Sequence, residues 1–247
     1  MTAKAKSKFF VGCSGWNYRH WKGVFYPEDI SQKDWFQHYA KTFDTVEINN
    51  TFYNLPAEKT FRNWAEQAEK GFIYSVKANR YITHVKRLRD PEEPVHRLIS
   101  RVRLLDDHAG PILFQLPPNW NCNLERLAHF ITALPPDFSH VFEFRDQSWI
   151  NDEVFALLEE HEMSHCVHDM EGLDIPRRAT GKVAYVRFHG YDSKYGGNYP
   201  EQALRPWADW MTREAENGRD VYAYFNNDAQ GFAIKNAKML RKKLTGD

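Results

Sequence analysis

Hydrophobic residues along the chain follow two spacings, one typical of strands and one typical of helices. Helical stripes repeat apolar residues at i, i+3, i+4 and i+7, as at Val95, Leu98, Ile99 and Val102. Short apolar runs between turn residues predict eight strands, at residues 9–13, 45–48, 72–76, 112–116, 141–144, 164–167, 183–188 and 221–225. Strands that alternate with helices, without a linker between them, predict an α/β fold: a TIM (β/α)8 barrel with eight parallel strands.

The sixth repeat of this pattern is the weakest. The connection after the sixth strand, residues 169–182, contains Gly172, Pro176 and Gly181 and has no helical stripe. We therefore expect a barrel with a weak or missing sixth helix. A doubly wound open sheet is the alternative fold for the same alternation of strands and helices.

Polar residues stand at the C-terminal ends of several predicted strands, where a buried barrel strand should be apolar. The two-residue period of a strand points Glu47 and Asn49 into the barrel, and it does the same for Glu143 and Arg145. Other strand ends contribute Lys77, Gln115, Arg187, His189 and Asn226. Unpaired charge inside a barrel is costly, and active sites of this fold lie at this end of the strands. The pattern predicts an active site there, with a network of structural ion pairs as the alternative.

The loops that follow these strands are rich in aromatic residues. Trp16 lies in the first loop, and Trp120 and Trp149 follow the fourth and fifth strands. Aromatic planes beside hydrogen-bonding groups suit sugar rings or nucleobases, although such residues also serve to roof a barrel. Residues 190–200 contain three glycines and follow the seventh strand, so we interpret them as a mobile lid over the site. An ordered loop packed by its tyrosines is the alternative.

Eight short stretches of the chain carry a resemblance to a known family. They are residues 12–16 (GCSGW), 20–27 (HWKGVFYP), 43–49 (FDTVEIN), 51–53 (TFY), 113–118 (LFQLPP), 142–145 (FEFR, with Ser148 and Trp149), 186–190 (VRFHG) and 221–228 (VYAYFNND). Together they resemble the YecE-like family, domain of unknown function number seventy-two, over nearly the whole chain. The resemblance implies a TIM barrel and no established activity. As a fold, the family is similar to the xylose isomerase and endonuclease IV superfamily.

One segment departs from the pattern of that family. The sixth strand continues as Cys166-Val167-His168-Asp169-Met170, where members often have an alanine before the aspartate. His168 is therefore not carried over as a site residue.

Two groups of residues resemble metal sites. Residues 161–165 (HEMSH) match the HExxH zinc motif, which requires both histidines on one helix face. Here the helical stripe stops near His161 and a strand starts at Ser164, so we do not expect a zinc site. At the strand ends, a metal would use Glu47, Glu143, His168, Asp169, His189 and Asp228. Because three cations share that cavity, we expect no metal ion and no cofactor, with a metal-dependent isomerase or nuclease as the alternative.

Composition and charge limit what the protein binds and where it works. Lys and Arg number 33 and balance 33 Asp and Glu, so no overall positive field attracts nucleic acid or a membrane. The three cysteines have no CxxC spacing, which favours a reducing cytoplasm over a disulfide framework. No apolar run approaches the roughly 18 residues of a membrane helix. We expect a flexible basic tail at residues 1–8 and a single barrel domain at residues 9–247.

The cations at the strand ends favour an anionic ligand, because guanidinium groups bind phosphate and carboxylate in planar pairs. We predict a metal-independent enzyme that acts on an anionic sugar-like or nucleotide-like substrate by general acid–base chemistry. Glu47 and Glu143 are the predicted catalytic pair, since their strands have the offset that many barrel glycosidases use. The predicted substrate-binding residues are Trp16, Asn49, Tyr53, Lys77, Gln115, Arg145, Arg187, His189, Asn226 and Asp228.

A function from another class competes with this prediction. Residues 86–89 (KRLR) are basic and follow the third strand on the same side of the barrel. They suit the phosphate backbone of a nucleic acid, although a solvated helix approach is the ordinary role of such a run. The alternative is a nucleic-acid-binding or repair-associated barrel, similar to endonuclease IV.

Overall fold

Eight parallel strands form one sheet that curls into a nearly closed barrel. The computed structural model describes residues 7–192 and 195–246. The strands are β1 (Phe9–Cys13), β2 (Thr45–Ile48), β3 (Ile73–Lys77), β4 (Ala109–Gln115), β5 (His140–Glu143), β6 (Ser164–His168), β7 (Val183–Phe188) and β8 (Asp220–Phe225). From β2 to β8 each strand pairs with the next one in the sequence, and β8 pairs with β1. The predicted TIM barrel is confirmed.

Helices on the outside of the barrel bury the predicted apolar stripes. They are α1 (Trp35–Ala40), α2 (Asn50–Tyr53), α3 (Glu58–Gln67), α4 (Glu92–Val102), α5 (Leu124–Thr132), α6 (Asp152–Glu160), α7 (Glu201–Glu216) and α8 (Phe232–Thr245). The α4 stripe that begins at Val95 lies in the core. Between β6 and β7 the described chain forms no helix, which confirms the prediction for the sixth repeat. Within the described ranges, every helix is too short or too polar to cross a membrane.

The barrel is closed between β1 and β2 by a tyrosine rather than by a strand ladder. The hydroxyl of Tyr39 in α1 accepts a hydrogen bond from the Cys13 amide at 2.9 Å and donates one to the Thr45 carbonyl at 3.0 Å. A Cβ at Gly12 would lie 2.4 Å from that carbonyl oxygen. The glycine therefore lets β1 approach β2 closely enough for one side chain to join them.

Residues alternate along the strands between the barrel interior and the helix layer. Val46 and Ile48 pack in the large core beneath the helices. A smaller interior cluster fills the barrel with Phe10, Leu113, Val141, Cys166, Val183, Tyr185, Tyr222 and Tyr224. Glu47 and Glu143 are buried on the interior side, above this cluster. The two-residue period therefore predicted the direction of both glutamates correctly.

Strand boundaries differ from the predictions at a few ends. The bounds of β1, β2 and β7 agree, but β4 starts at Ala109, three residues earlier than predicted. The prediction missed the first three residues of β4 because Gly110 and Pro111 are poor strand formers. A Cβ at Gly110 would lie 2.5 Å from Cγ2 of Ile73, so the glycine lets β4 pack against β3.

The predicted basic tail lies mostly outside the described residues, which begin at Ser7. Lys8 already belongs to the barrel, because its amide donates to Asp220 at 2.8 Å and its carbonyl accepts from the Val221 amide at 2.9 Å. The barrel therefore begins no later than Lys8, one residue before the predicted boundary.

Candidate active site

Two glutamates and two arginines form a chain of ion pairs at the C-terminal ends of the strands. We call this end of the barrel the barrel mouth. Arg187 of β7 places Nη2 2.8 Å from Oε1 of Glu47 and Nη1 2.6 Å from Oε2 of Glu143. Arg145 pairs with the other oxygen of Glu143. These four residues are the ion-pair cluster. Its two positive and two negative charges cancel.

Neutral donors complete the coordination of Glu47. The Tyr185 hydroxyl donates to Oε2 at 2.6 Å, and Ser14 Oγ donates to Oε1 at 2.8 Å. Sequence reasoning missed both partners. The available signals were the place of Ser14 directly after β1 and that of Tyr185, two residues before Arg187 on the same face of β7.

All four carboxylate oxygens of Glu47 and Glu143 accept hydrogen bonds from charged or hydroxyl donors. Burial alone would raise the pKa of Glu143, but the Arg145 and Arg187 guanidinium groups hold it well below its usual range. The carboxyl of Glu143 is therefore ionised at neutral pH and has no proton to donate.

Arg187 also occupies the space that the predicted mechanism needs. Glycosidase carboxylates stand apart so that a glycosidic bond or a water molecule fits between them. Here the Arg187 guanidinium bridges Glu47 and Glu143, and its side chain is 1% exposed. The glycosidase-like interpretation of the two glutamates is therefore not supported by their geometry. Arg187 itself faces the carboxylates rather than the mouth.

His189 continues the cluster toward β8. Its Nε2 lies 3.0 Å from Nη2 of Arg145 and 3.6 Å from Oε1 of Glu143, and its Nδ1 lies 3.4 Å from the Asn226 amide. Burial, together with Arg145, holds the pKa of His189 well below its usual value, although the nearby Glu143 carboxylate opposes this shift. The imidazole is therefore neutral at pH 7, so it positions Arg145 rather than adding a charge.

Asp169 joins the end of β6 to the predicted lid. Its carboxylate accepts from the His189 amide at 2.7 Å and from the Tyr199 hydroxyl. That hydroxyl in turn accepts from the Gly190 amide at 2.8 Å. Burial raises the pKa of Asp169 to about 6, against the opposing effect of these hydrogen bonds. Residues 193 and 194 of the predicted lid lie outside the described residues.

Lys77 differs from every other charged residue at the mouth. It ends β3, its relative exposure is 9%, and its Nζ lies 4.3 Å from the centre of the Phe52 ring. Among residues 7–192 and 195–246, no carboxylate lies within 4.0 Å of Nζ and no hydrogen bond reaches it. Burial and the two guanidinium groups lower the pKa of Lys77 to about 7, although Glu143 and Glu47 oppose the shift.

The other predicted binding residues are scattered around the mouth. Asn49 donates to the Ser14 carbonyl at 3.2 Å, and its buried Oδ1 has no hydrogen-bond partner among the described residues. Gln115 ends β4 beside Glu143. Tyr53 is 75% exposed on α2. The structure does not bring Asp228 to the cluster, because its carboxylate lies 3.2 Å from Nε2 of His20 in the first loop.

Two grooves flank the ion-pair cluster. The aromatic groove, about 460 Å³, lies over the ends of β1 and β2 and is lined by residues that include Trp16, Tyr18, Asn49, Tyr53 and Trp64. A second groove, about 630 Å³, lies over β6 and β7 and is lined by Asp169, Met170, His189 and Tyr191, among others. Trp16 also packs edge-on against Phe36 and Trp64, so it belongs to both the core and the groove.

The two candidate metal groups do not come together. His161 caps the C-terminal end of α6, whereas His165 lies in β6 and stacks on Phe144, so the two histidines do not share a helix. Across the described ranges, no three His, Cys, Asp or Glu side chains form a group that could hold a metal ion. At the mouth, the ion pairs of Arg145 and Arg187 leave Lys77 as the cation without a carboxylate partner among the described residues.

Comparisons with known proteins place these observations in a family. The family model described as "Protein of unknown function DUF72" matches residues 10–247. The UPF0759 protein YunF of Bacillus subtilis is 24% identical over an alignment of 268 positions, which covers 95% of this chain and 94% of YunF. The UPF0759 protein YecE of Escherichia coli K12 is 28% identical over 137 residues, 55% of this chain and 48% of YecE.

Solved structures agree with the fold. A DUF72 family protein from Thermotoga maritima MSB8 has a TM-score of 0.87 at 27% identity, covering 96% of this chain and 99% of that one. A second DUF72 family protein, from Enterococcus faecalis V583, has a TM-score of 0.79 at 16% identity, covering 96% of this chain and 95% of that one. At 16% identity, the similarity to this second structure supports the fold alone.

Proposed function

The chain belongs to the DUF72 family, and we propose that it is a metal-independent cytoplasmic enzyme that acts on a small anionic molecule at the barrel mouth. Lys77 carries the proposal, because it is a nearly buried amine that the surrounding residues leave unpaired. The free thiols of Cys13, Cys122 and Cys166 support a reducing compartment.

The electrostatics of the mouth favour an anion. Charges within the ion-pair cluster cancel, so protonated Lys77 adds one positive charge without a matching carboxylate. An anion beside Nζ would stabilise the ammonium form and raise the pKa of Lys77 from about 7. Anion binding near neutral pH should therefore take up a proton.

The aromatic groove supports a ligand that carries a ring. Phe52 covers Lys77, and the next residue along α2, Tyr53, lines the groove, so one short helix contributes to both. A volume of about 460 Å³ lies in the range of small-molecule sites. Aromatic faces beside the amides of Asn17 and Asn49 suit a sugar-like or nucleotide-like molecule.

We assign proton transfer to Lys77 rather than to the two glutamates. General acid–base catalysis works best with a group whose pKa lies near the working pH, as that of Lys77 does at about 7. The oxygens of Glu47 and Glu143 are occupied by donors, so these residues hold the arginines in place. In this proposal Arg145 meets the anion at the edge of the cluster.

Anion-dependent thermal stabilisation tests the proposal. We expect phosphate, sulfate and ribose 5-phosphate to raise the Tm of the protein by roughly 5–10 °C at 100 times their dissociation constant. Lys77→Met should lose most of this shift. The matched control is Lys182→Met, which removes an exposed lysine that pairs with Glu162 beside the start of β7, at the opposite end of the barrel. An equal shift in the two variants would overturn the proposal.

The nucleic-acid alternative predicts a different result. In its basic segment, Lys86 pairs with Asp90 at 2.8 Å and Arg87 stands over Trp120, which leaves fewer free cations than the sequence suggested. Gel shifts with single-stranded and double-stranded oligonucleotides separate the two functions. Binding that weakens steeply as salt rises would favour the alternative, whereas the proposed enzyme should give no shift.

A further inference from the structure

We infer that Lys77 is a nucleophile that forms an imine with the carbonyl carbon of an anionic aldehyde or ketone. This inference rests on the proposed function and narrows its substrate class to anions that also carry a carbonyl group. The amine would react covalently instead of only moving a proton.

The surroundings of Lys77 leave its amine free to react. The charged residues that face it lie on β2, on β7 and at the C-terminal end of β5, and they pair with one another: Glu47, Glu143, Arg145 and Arg187. On the remaining side stand the Phe52 ring, 4.3 Å from Nζ, and His84 of the π-helical turn Tyr81–Val85. A buried lysine with a purely structural role would be expected to pair with a carboxylate. This one contacts an aromatic ring and keeps 9% of its surface exposed.

The protonation state of the amine suits nucleophilic attack. Burial and the neighbouring guanidinium groups lower the pKa of Lys77 to about 7, so a large fraction is unprotonated at neutral pH. An ammonium group has no lone pair, and exposed lysines are almost entirely protonated under the same conditions. Lysines such as Lys86, Lys182 and Lys243 are also held by surface ion pairs.

The proposed step balances without an oxidant or a reductant. The nitrogen lone pair of Lys77 attacks the carbonyl carbon, a C–N bond forms, and the π electrons of the carbonyl move to oxygen. The oxygen then leaves as water, and both protons of the amine end on that water. The product is a C=N bond, whose protonated form is a cation that replaces the ammonium beside Glu47 and Glu143.

Reductive trapping on the full chain tests the inference. We would incubate the protein at pH 7 with cyanoborohydride and one of three probes: glyoxylate, pyruvate or glyceraldehyde 3-phosphate. Intact-mass and peptide-mass analysis should find one adduct, at Lys77, forming at least tenfold faster than at any other lysine. Labelling of Lys77 no faster than that of Lys86 or Lys182 would overturn the inference. This comparison needs no variant, so it holds even if a substitution at Lys77 prevents folding.

Matched variants and competitors sharpen the result. Lys77→Arg keeps the charge but lacks the nucleophile and should lose the fast adduct, whereas Lys182→Met should keep it. Glycerol 3-phosphate, which has no carbonyl group, should slow trapping by competing for the mouth.

The imine and the anion site fail in distinguishable ways. If glycerol 3-phosphate stabilises the protein through Lys77 but no fast adduct forms, the proposed function stands and the imine is wrong. If neither effect occurs, both are wrong.

Discussion

The ion-pair cluster and Lys77 lie at the same end of the same barrel and are similarly buried, yet the fold treats their charges in opposite ways. Every carboxylate oxygen in the cluster meets a donor from another strand or loop. The ammonium of Lys77 meets an aromatic ring. Charges that are paired with one another stabilise the fold. A buried charge that has no ion-pair partner is available for chemistry.

Removing the centre of the cluster should have the largest effect. Arg187→Met leaves Glu47 and Glu143 buried without their shared guanidinium, which should cost roughly 5 kcal/mol of folding free energy and lower the Tm by about 10 °C or more. Thermal unfolding at pH 7, followed by circular dichroism, measures the change.

An exposed ion pair supplies the control for that experiment. Arg103→Met breaks a surface pair with Asp137 and should change stability by less than about 1 kcal/mol. If Arg187→Met were no more destabilising than this control, the ion-pair cluster would not be needed for the stability of the barrel.

Lys77→Met should change the folding stability in the opposite direction and stabilise the protein. In the unfolded chain this lysine keeps a pKa near 10.5, and in the fold it has a pKa of about 7. The folded state therefore binds the proton less well, so stability rises with pH between these values and the full penalty applies below pH 7. Replacing the lysine should stabilise the protein by roughly 4–5 kcal/mol at pH 6 and by about 2 kcal/mol at pH 9.

Urea unfolding of both proteins from pH 6 to pH 9 measures this difference. The m value reports whether the two unfolding transitions expose the same surface. A loss of stability at pH 6, or a difference between the proteins that does not change with pH, would mean that Lys77 is paired after all.

The sequence pattern predicted which side of a strand a charged side chain occupies better than it predicted its ion-pair partner. The two-residue period of a strand correctly turned Glu47 and Glu143 inward, since direction depends only on neighbouring residues. The pairing did not follow from it, because Arg187 meets carboxylates 140 and 44 positions away along the chain. The closure of the barrel and the rotamers of the side chains determine which carboxylates Arg187 reaches. The pattern therefore identified a set of charged residues at the mouth but not that Lys77 is left out of their pairing.

The predicted lid is a second case in which the sequence pattern identified a segment but not the contacts of its individual residues. Its three glycines and three tyrosines indicated mobility, but the tyrosines differ in their surroundings. Tyr199 is 2% exposed, and its backbone contacts the Asn236 side chain at 3.3 Å and 3.1 Å. Tyr191 and Tyr195 are far more exposed. The segment is therefore anchored at its C-terminal end beside Asp169. The glycines and tyrosines alone left a mobile lid and an ordered loop as alternatives.

The smallest expected effect concerns that anchor. Tyr199→Phe removes the hydroxyl that links Asp169 to the Gly190 amide, and a lost hydrogen bond of this kind costs about 1 kcal/mol. Amide exchange followed by mass spectrometry should show residues 197–199 exchanging more slowly than residues 190–192 in the wild-type protein. In the variant we expect exchange at residues 197–199 to quicken roughly fivefold while the strands keep their protection, because the anchor lies outside the ion-pair cluster. Equal exchange across the whole segment in both proteins would show that Tyr199 does not hold it, and that the lid is uniform as the sequence suggested.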